Sequence, residues 1–214
     1  MEQACLVTGK SSELLAEVVN EAAARDRRVL IARSGPLETF SPPEGTASVS
    51  WNRRSALSAR SVVLHGQNLY GRLGEAVVVF SPVRESVPFH ESSIVSIENR
   101  TDAEVKGYLF MIREVVSLFQ KQGAGRLVLA VLDTGGAVRS PLEAMSLGSF
   151  QSTALALQRL YENEASELRL CYSNSDDVSG YARFIVETVA APPARRRKDG
   201  WLRYGSRGRA RRLH

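Results

Sequence analysis

Histidine and cysteine are scarce in this chain of 214 residues, with three of the first and two of the second. His65, His90 and His214 are isolated and no Cys/His spacing suits a metal, which excludes a zinc centre. Cys5 and Cys171 fall in apolar runs and read as buried thiols of a reducing compartment, not as a disulfide framework. No apolar run approaches the ~18 residues of a membrane span, so no membrane partner is expected. Met1-Glu2-Gln3 leads straight into an apolar stretch without a basic n-region, and the expected location is cytoplasmic. No internal repeat is visible. The GxSxG elbow, the P-loop, HExxH and the EF-hand pattern are all absent. What is present is a globular balance of 43% apolar and 24% charged residues, at a length that suits one α/β domain.

Charge is distributed unevenly. The net +5 hides a last segment, residues 195–214, with one acid (Asp199) and nine basic residues: Arg195, Arg196, Arg197, Lys198, Arg203, Arg207, Arg209, Arg211 and Arg212. That segment carries +8 and leaves −3 for the other 194 residues. The chain therefore divides into a body, 1–194, and a basic C-terminal segment, part last strand and part flexible. The nine cations are candidates for binding a polyanion, whether an acidic protein or a nucleic acid.

The hydrophobic pattern alternates β and α along the whole body. Ala4–Thr8, Arg28–Ala32, Ala47–Trp51, Ala76–Phe80, Arg126–Leu132 and Leu168–Tyr172 read as strands, and Trp201–Tyr204 as a short last one. Near-continuous apolar runs in four of these predict central strands covered on both faces. Ser11–Ser12 precedes a helical stripe, and a weak helix over Ser55–Leu73 is interrupted by Gly66 and Gly71. Thr101-x-x-Glu104 predicts a capping box for a helix through Gln122. A second long helix is expected over Leu142–Ser166, and Asp177 caps another to about Thr188. This order predicts a Rossmann-like α/β fold: a doubly wound, mostly parallel sheet with helices on both faces.

In such a sheet ligands bind at the carboxyl ends of the strands, and the first βα turn reads Thr8-Gly9-Lys10-Ser11-Ser12-Glu13-Leu14-Leu15. With RVLIARS (28–34), LGEAVVVFSP (73–82), GAGRLVLAVL (123–132), SFQSTALALQRLYENE (149–164) and LRLCYSNSD (168–176), it resembles the short-chain dehydrogenase/reductase family over nearly the whole body. The resemblance implies NAD(P) as cofactor and a Tyr-x-x-x-Lys catalytic pair. It makes Gly9, Lys10, Ser12, Arg33 and Asn52 the weak cofactor-binding candidates.

The functional positions depart from that family. The second and third glycines of the turn fall on Glu13 and Leu15. The Tyr-Lys pair falls on Leu147 and Gln151, and the helix Asn of the proton relay falls on Glu104. Thr134 keeps a hydroxyl near the position of the catalytic Ser. No tyrosine in the chain is followed four residues on by lysine. Leu147 has no exchangeable proton and Gln151 no charge, so the family's proton transfer has no carrier here. The expected function is therefore a catalytically degenerate relative that binds, scaffolds or regulates and self-associates through its two long helices, with no cofactor. Two alternatives stay open. One is an NAD(P)-dependent oxidoreductase with relocated catalytic groups. The other is a nucleic-acid or acidic-partner binder acting through the arginine-rich end.

Overall fold

The computed structural model describes residues 4–35, 40–84, 87–135, 139–164, 166–192 and 200–205. Seven parallel strands form one sheet: β1 (Ala4–Lys10), β2 (Arg28–Ser34), β3 (Ala47–Ser50), β4 (Glu75–Phe80), β5 (Gly125–Leu132), β6 (Ser166–Ser173) and β7 (Trp201–Tyr204). Their order is β3-β2-β1-β4-β5-β6-β7. The four runs expected at the centre are at the centre, and every pairing is parallel.

Period-two alternation divides the strands between two cores. Leu6, Leu30, Val78, Phe80 and Leu129 pack under α2 (Ala56–Tyr70), α4 (Gly107–Gln122) and α5 (Pro141–Leu160). Val7, Ile31, Val77, Val79 and Ala130 pack under α1 (Glu13–Ala23) and α6 (Val178–Ala190). Alternation of buried residues on both faces is what helices on both sides of a parallel sheet require. Cys5 and Cys171 lie in the second core as free thiols; burial pushes the Cys171 thiol up to about 12 and Cys5 higher still. Edge strand β3 is covered on one face. Its Ala47 and Val49 pack on the α2 core, while Ser48 and Ser50 face solvent.

Three helix boundaries differ from the sequence pattern. Thr101 does not start a helix. That helix begins as α3 (Ile94–Thr101), capped by Ser93, whose Oγ accepts from the Ser96 amide at 3.1 Å. The Thr101 hydroxyl instead donates to the Ile97 carbonyl inside it. A π-helical turn over Asp102–Lys106 joins α3 to α4. The capping box that does form is Ser140 with Glu143, at the start of α5. Helix α5 stops at Leu160, because Ser166 is already paired with Gly125 in the sheet. Helix α2 continues through Gly66, where a Cβ would press on the methyl ends of Leu30 and Leu73, and stops at Gly71.

Strand β7 is held at both ends. The Gly200 amide donates to Gln158, and the Tyr204 hydroxyl donates to Asp177, the N-cap of α6, at 2.5 Å. Arg203 lies in this strand; the other eight cations of the basic segment, Arg195, Arg196, Arg197, Lys198, Arg207, Arg209, Arg211 and Arg212, lie outside the described residues. No helix among the described residues is long and apolar enough to cross a membrane, and none of their side chains cluster as metal ligands.

At the amino edge of the sheet charged side chains form ion pairs. Glu75 is fully buried between Arg27 at 2.7 Å and Arg126 at 3.0 Å. Arg126 and Arg169 also donate to the last carbonyls of α6, which has no basic residue of its own there. Glu75→Gln leaves two largely buried guanidiniums without their counter-charge. The expected loss is about 3 kcal/mol, read as a lower urea midpoint at unchanged slope.

Candidate functional site

The strand order reverses direction between β1 and β4, and the crevice at their carboxyl ends is where such sheets bind ligands. Here that crevice holds a side chain. Tyr108, near the start of α4, is buried with 2% exposure. Its phenol oxygen accepts from the Lys10 amide at 3.3 Å and donates to the Val79 carbonyl at 3.3 Å, so it bridges β1 and β4. The ring meets Trp51, Phe80 and Phe150 edge-on, with centroids 5.7, 5.1 and 5.5 Å away. Burial, with the nearby Glu104 carboxylate adding to it, pushes the phenol up to about 12.

A buried ion pair sits beside this plug. Arg53 donates to Glu104 at 2.8 Å, with the two side chains 12% and 4% exposed. The Arg53 guanidinium also lies 5.8 Å from the Tyr108 ring centre. Glu104 belongs to the π turn, a local widening of the helix often found at functional sites. Gly107 brings α4 onto the backbone of Arg53; a Cβ there would stand 2.3 Å from the Arg53 carbonyl oxygen. The position matched to the family's helix Asn thus pairs with an arginine that the sequence reading did not single out.

The first βα turn is closed by its own hydrogen bonds. Gly9 is still strand, paired with Arg33 and Val79. The Lys10 amide is taken by Tyr108, the Ser11 amide by the Ser34 carbonyl, and the Leu15 amide by the Ser12 hydroxyl as N-cap. Glu13 is exposed and Leu15 is buried in the α1 core. Burial lowers the affinity of the half-buried Lys10 ammonium for its proton. The Arg33 guanidinium has no partner among the described residues, and its Nη1 is buried. Asn52 is exposed and spends its side chain on the Arg54 amide, a local turn role.

The positions matched to the catalytic pair lie on α5. Leu147 is part of the core and Gln151 is half-buried. Thr134 lies beyond β5, where it lines a small cleft of about 60 Å³ together with Ser81, Arg84, Arg139 and Glu143. Asp133 organises the floor of this region. It accepts from Arg139 at 2.5 Å and from the Tyr172 hydroxyl at 2.9 Å. Arg203 stacks over the Tyr172 ring at 4.7 Å, so this cation already has a place in the fold.

The fold is that of the short-chain oxidoreductases. It superposes on a metagenomic short-chain oxidoreductase in complex with NADP at a TM-score of 0.73, with 12% identity, covering 89% of this chain and 91% of that one. A tryptophan variant of actinorhodin polyketide ketoreductase with NADPH gives 0.69 and 15% identity, covering 87% and 76%. In sequence, an uncharacterized protein of Treponema pallidum (strain Nichols) is 24% identical over 163 residues, 74% of this chain and 73% of that one. No family model matches the sequence.

The raised phenol gives a signed expectation. An unfolded tyrosine ionises near pH 10, whereas Tyr108 keeps its proton to about 12. The folded state therefore holds more protons between these values, and this contribution to stability, complete below pH 10, is lost as pH rises through 12. Tyr108→Phe should be less stable at neutral pH by about 1–3 kcal/mol, because the Lys10 amide and the Val79 carbonyl lose their partner. It should also fall less steeply above pH 10, as measured by urea denaturation across that range.

Proposed function

We propose that this protein is a catalytically degenerate short-chain-dehydrogenase-like binding module that does not use NAD(P) and acts as a self-associated assembly. The observation that carries the reading is Tyr108 in the β1–β4 crevice, hydrogen-bonded to both strands. A dinucleotide pyrophosphate needs that crevice and the amides around it. Displacing Tyr108 exposes a buried ring and breaks two hydrogen bonds, at a cost of about 3 kcal/mol or more. At 1.4 kcal/mol per decade, that is roughly a hundredfold loss of affinity or greater. The proton-transfer positions agree with this reading: Leu147 is buried hydrocarbon, and Gln151 is uncharged. Calorimetry with NAD and with NADP should show no micromolar binding; a micromolar dissociation constant for either would overturn the reading.

Self-association is supported by the outer faces of α4 and α5. The sheet absorbs more of α5 than its composition suggests: Leu147, Phe150 and Ala154 are buried, while Leu155 and Leu157 pack on the same core. What remains is a shallow apolar groove between α4 and α5, enclosing about 10 Å³ and lined by Val105, Leu109, Ile112, Phe150 and Thr153 among others. Leu109 stands 41% and Met145 36% exposed nearby. The occupant we assign to this groove is the same surface of a second copy, an isologous contact. Sedimentation at tens of micromolar should show a dimer, and Leu109→Glu should shift it to monomer. A wild-type monomer of 23.5 kDa would refute the contact.

A further inference from the structure

The cleft at the carboxyl ends of β4 and β5 lies beside the plugged crevice and is distinct from it. Two guanidiniums flank it. Arg139 is tied to Asp133, and it lies so close over Gly135 that a Cβ there would be 3.0 Å from its Nη1. Arg84 is exposed, spends one nitrogen on the Thr134 carbonyl at 2.9 Å, and has no carboxylate partner among the described residues. Ser81 and Thr134 line the same cleft. The Ser81 Oγ is buried and has no hydrogen-bond partner, so a donor inside the lining lacks an acceptor.

From this arrangement we propose that the cleft binds a small monocarboxylate. Its carboxylate accepts from the planar fork of Arg84, with Ser81 and Thr134 donating beside it. The charge count disfavours more than one negative charge, because Arg84 and Arg139 are already balanced by Asp133 and Glu143. Asp133 offsets Arg139, and Glu143, whose Oε2 accepts from the Ser140 amide, remains on the wall as a fixed anion. A dianion would meet Glu143 with only Arg84 left to balance it. The volume open to a ligand, about 60 Å³, is far below that of ordinary small-molecule sites, so the acid is short. Nothing in this site depends on the first βα turn. A titration with NADP tests the reading of the crevice, and a titration with carboxylate tests this one.

The probe is acetate, titrated into the full chain at constant ionic strength and followed by amide chemical shifts, with inorganic phosphate as the second arm. The amides of Ser81, Thr134 and Gly135 should shift and saturate with acetate, and phosphate should bind more weakly. Arg84→Gln should weaken acetate about tenfold or more, the scale of one charge-assisted pair, without lowering the melting temperature, because the side chain is exposed. Ser81→Ala, which removes a hydroxyl that bonds nothing, should weaken acetate as well. Linear shifts to tens of millimolar, equal affinity in Arg84→Gln, or tighter binding of phosphate than acetate would each overturn the proposal.

Discussion

The phenol of Tyr108 ties the fold together at the place where it would otherwise open. Strands β1 and β4 are neighbours in the sheet, but the chain leaves them toward opposite sides, and their carboxyl ends splay into a crevice. One hydroxyl closes it by accepting from β1 and donating to β4. The ring could not reach that point unless α4 approached closely, which Gly107 permits and the π turn arranges. Trp51, Phe80 and Phe150 then close around the ring, so the loop after β3, the end of β4 and the middle of α5 all take their positions from one aromatic side chain.

The helix register has a chemical consequence. The π turn lets Glu104 face Arg53 while Gly107 and Tyr108 face the sheet. An ion pair this far from water gains little over an apolar contact of the same shape, but removing one partner strands the other. Arg53 and Glu104 therefore fix where α4 lies more than they add to net stability. The Glu104 side chain is committed to this structural pairing, and the neighbouring phenol, raised to about 12, holds its proton at neutral pH.

The sheet was legible in the residues because its signal is local. Continuous apolar runs such as Ala76–Phe80 are strands covered on both faces wherever they occur, and even the four residues Trp201–Tyr204 read correctly. The helix starts were less legible. The S/T-x-x-E pattern occurs at both Thr101 and Ser140, and only the second forms a capping box; the pattern carries no information about what precedes it. The plug was not legible at all. Nothing in the residues around Tyr108 marks it, and its role exists only once the strand order places Lys10 and Val79 side by side. Glu13, at the position of the turn's second glycine, is exposed, and the amides around it are occupied from elsewhere.

The two edges of the sheet differ in how they treat polar groups. At the amino edge Glu75 lies between two arginines, and Arg126 and Arg169 satisfy the end of α6. At the carboxyl edge the buried atoms Thr8 Oγ1, Arg33 Nη1, Ser34 Oγ, Trp51 Nε1, Ser81 Oγ and Glu104 Oε2 lack hydrogen-bond partners, and at the amino edge so do Glu75 Oε1 and Glu167 Oε2. Each such atom costs free energy that a chain selected only for stability would recover. They occur at both edges, so it is the loops beyond the carboxyl ends, and not the unsatisfied atoms, that set this face apart. There the Tyr108 phenol joins the last residues of β1 and β4, while the seven strands keep the order β3-β2-β1-β4-β5-β6-β7.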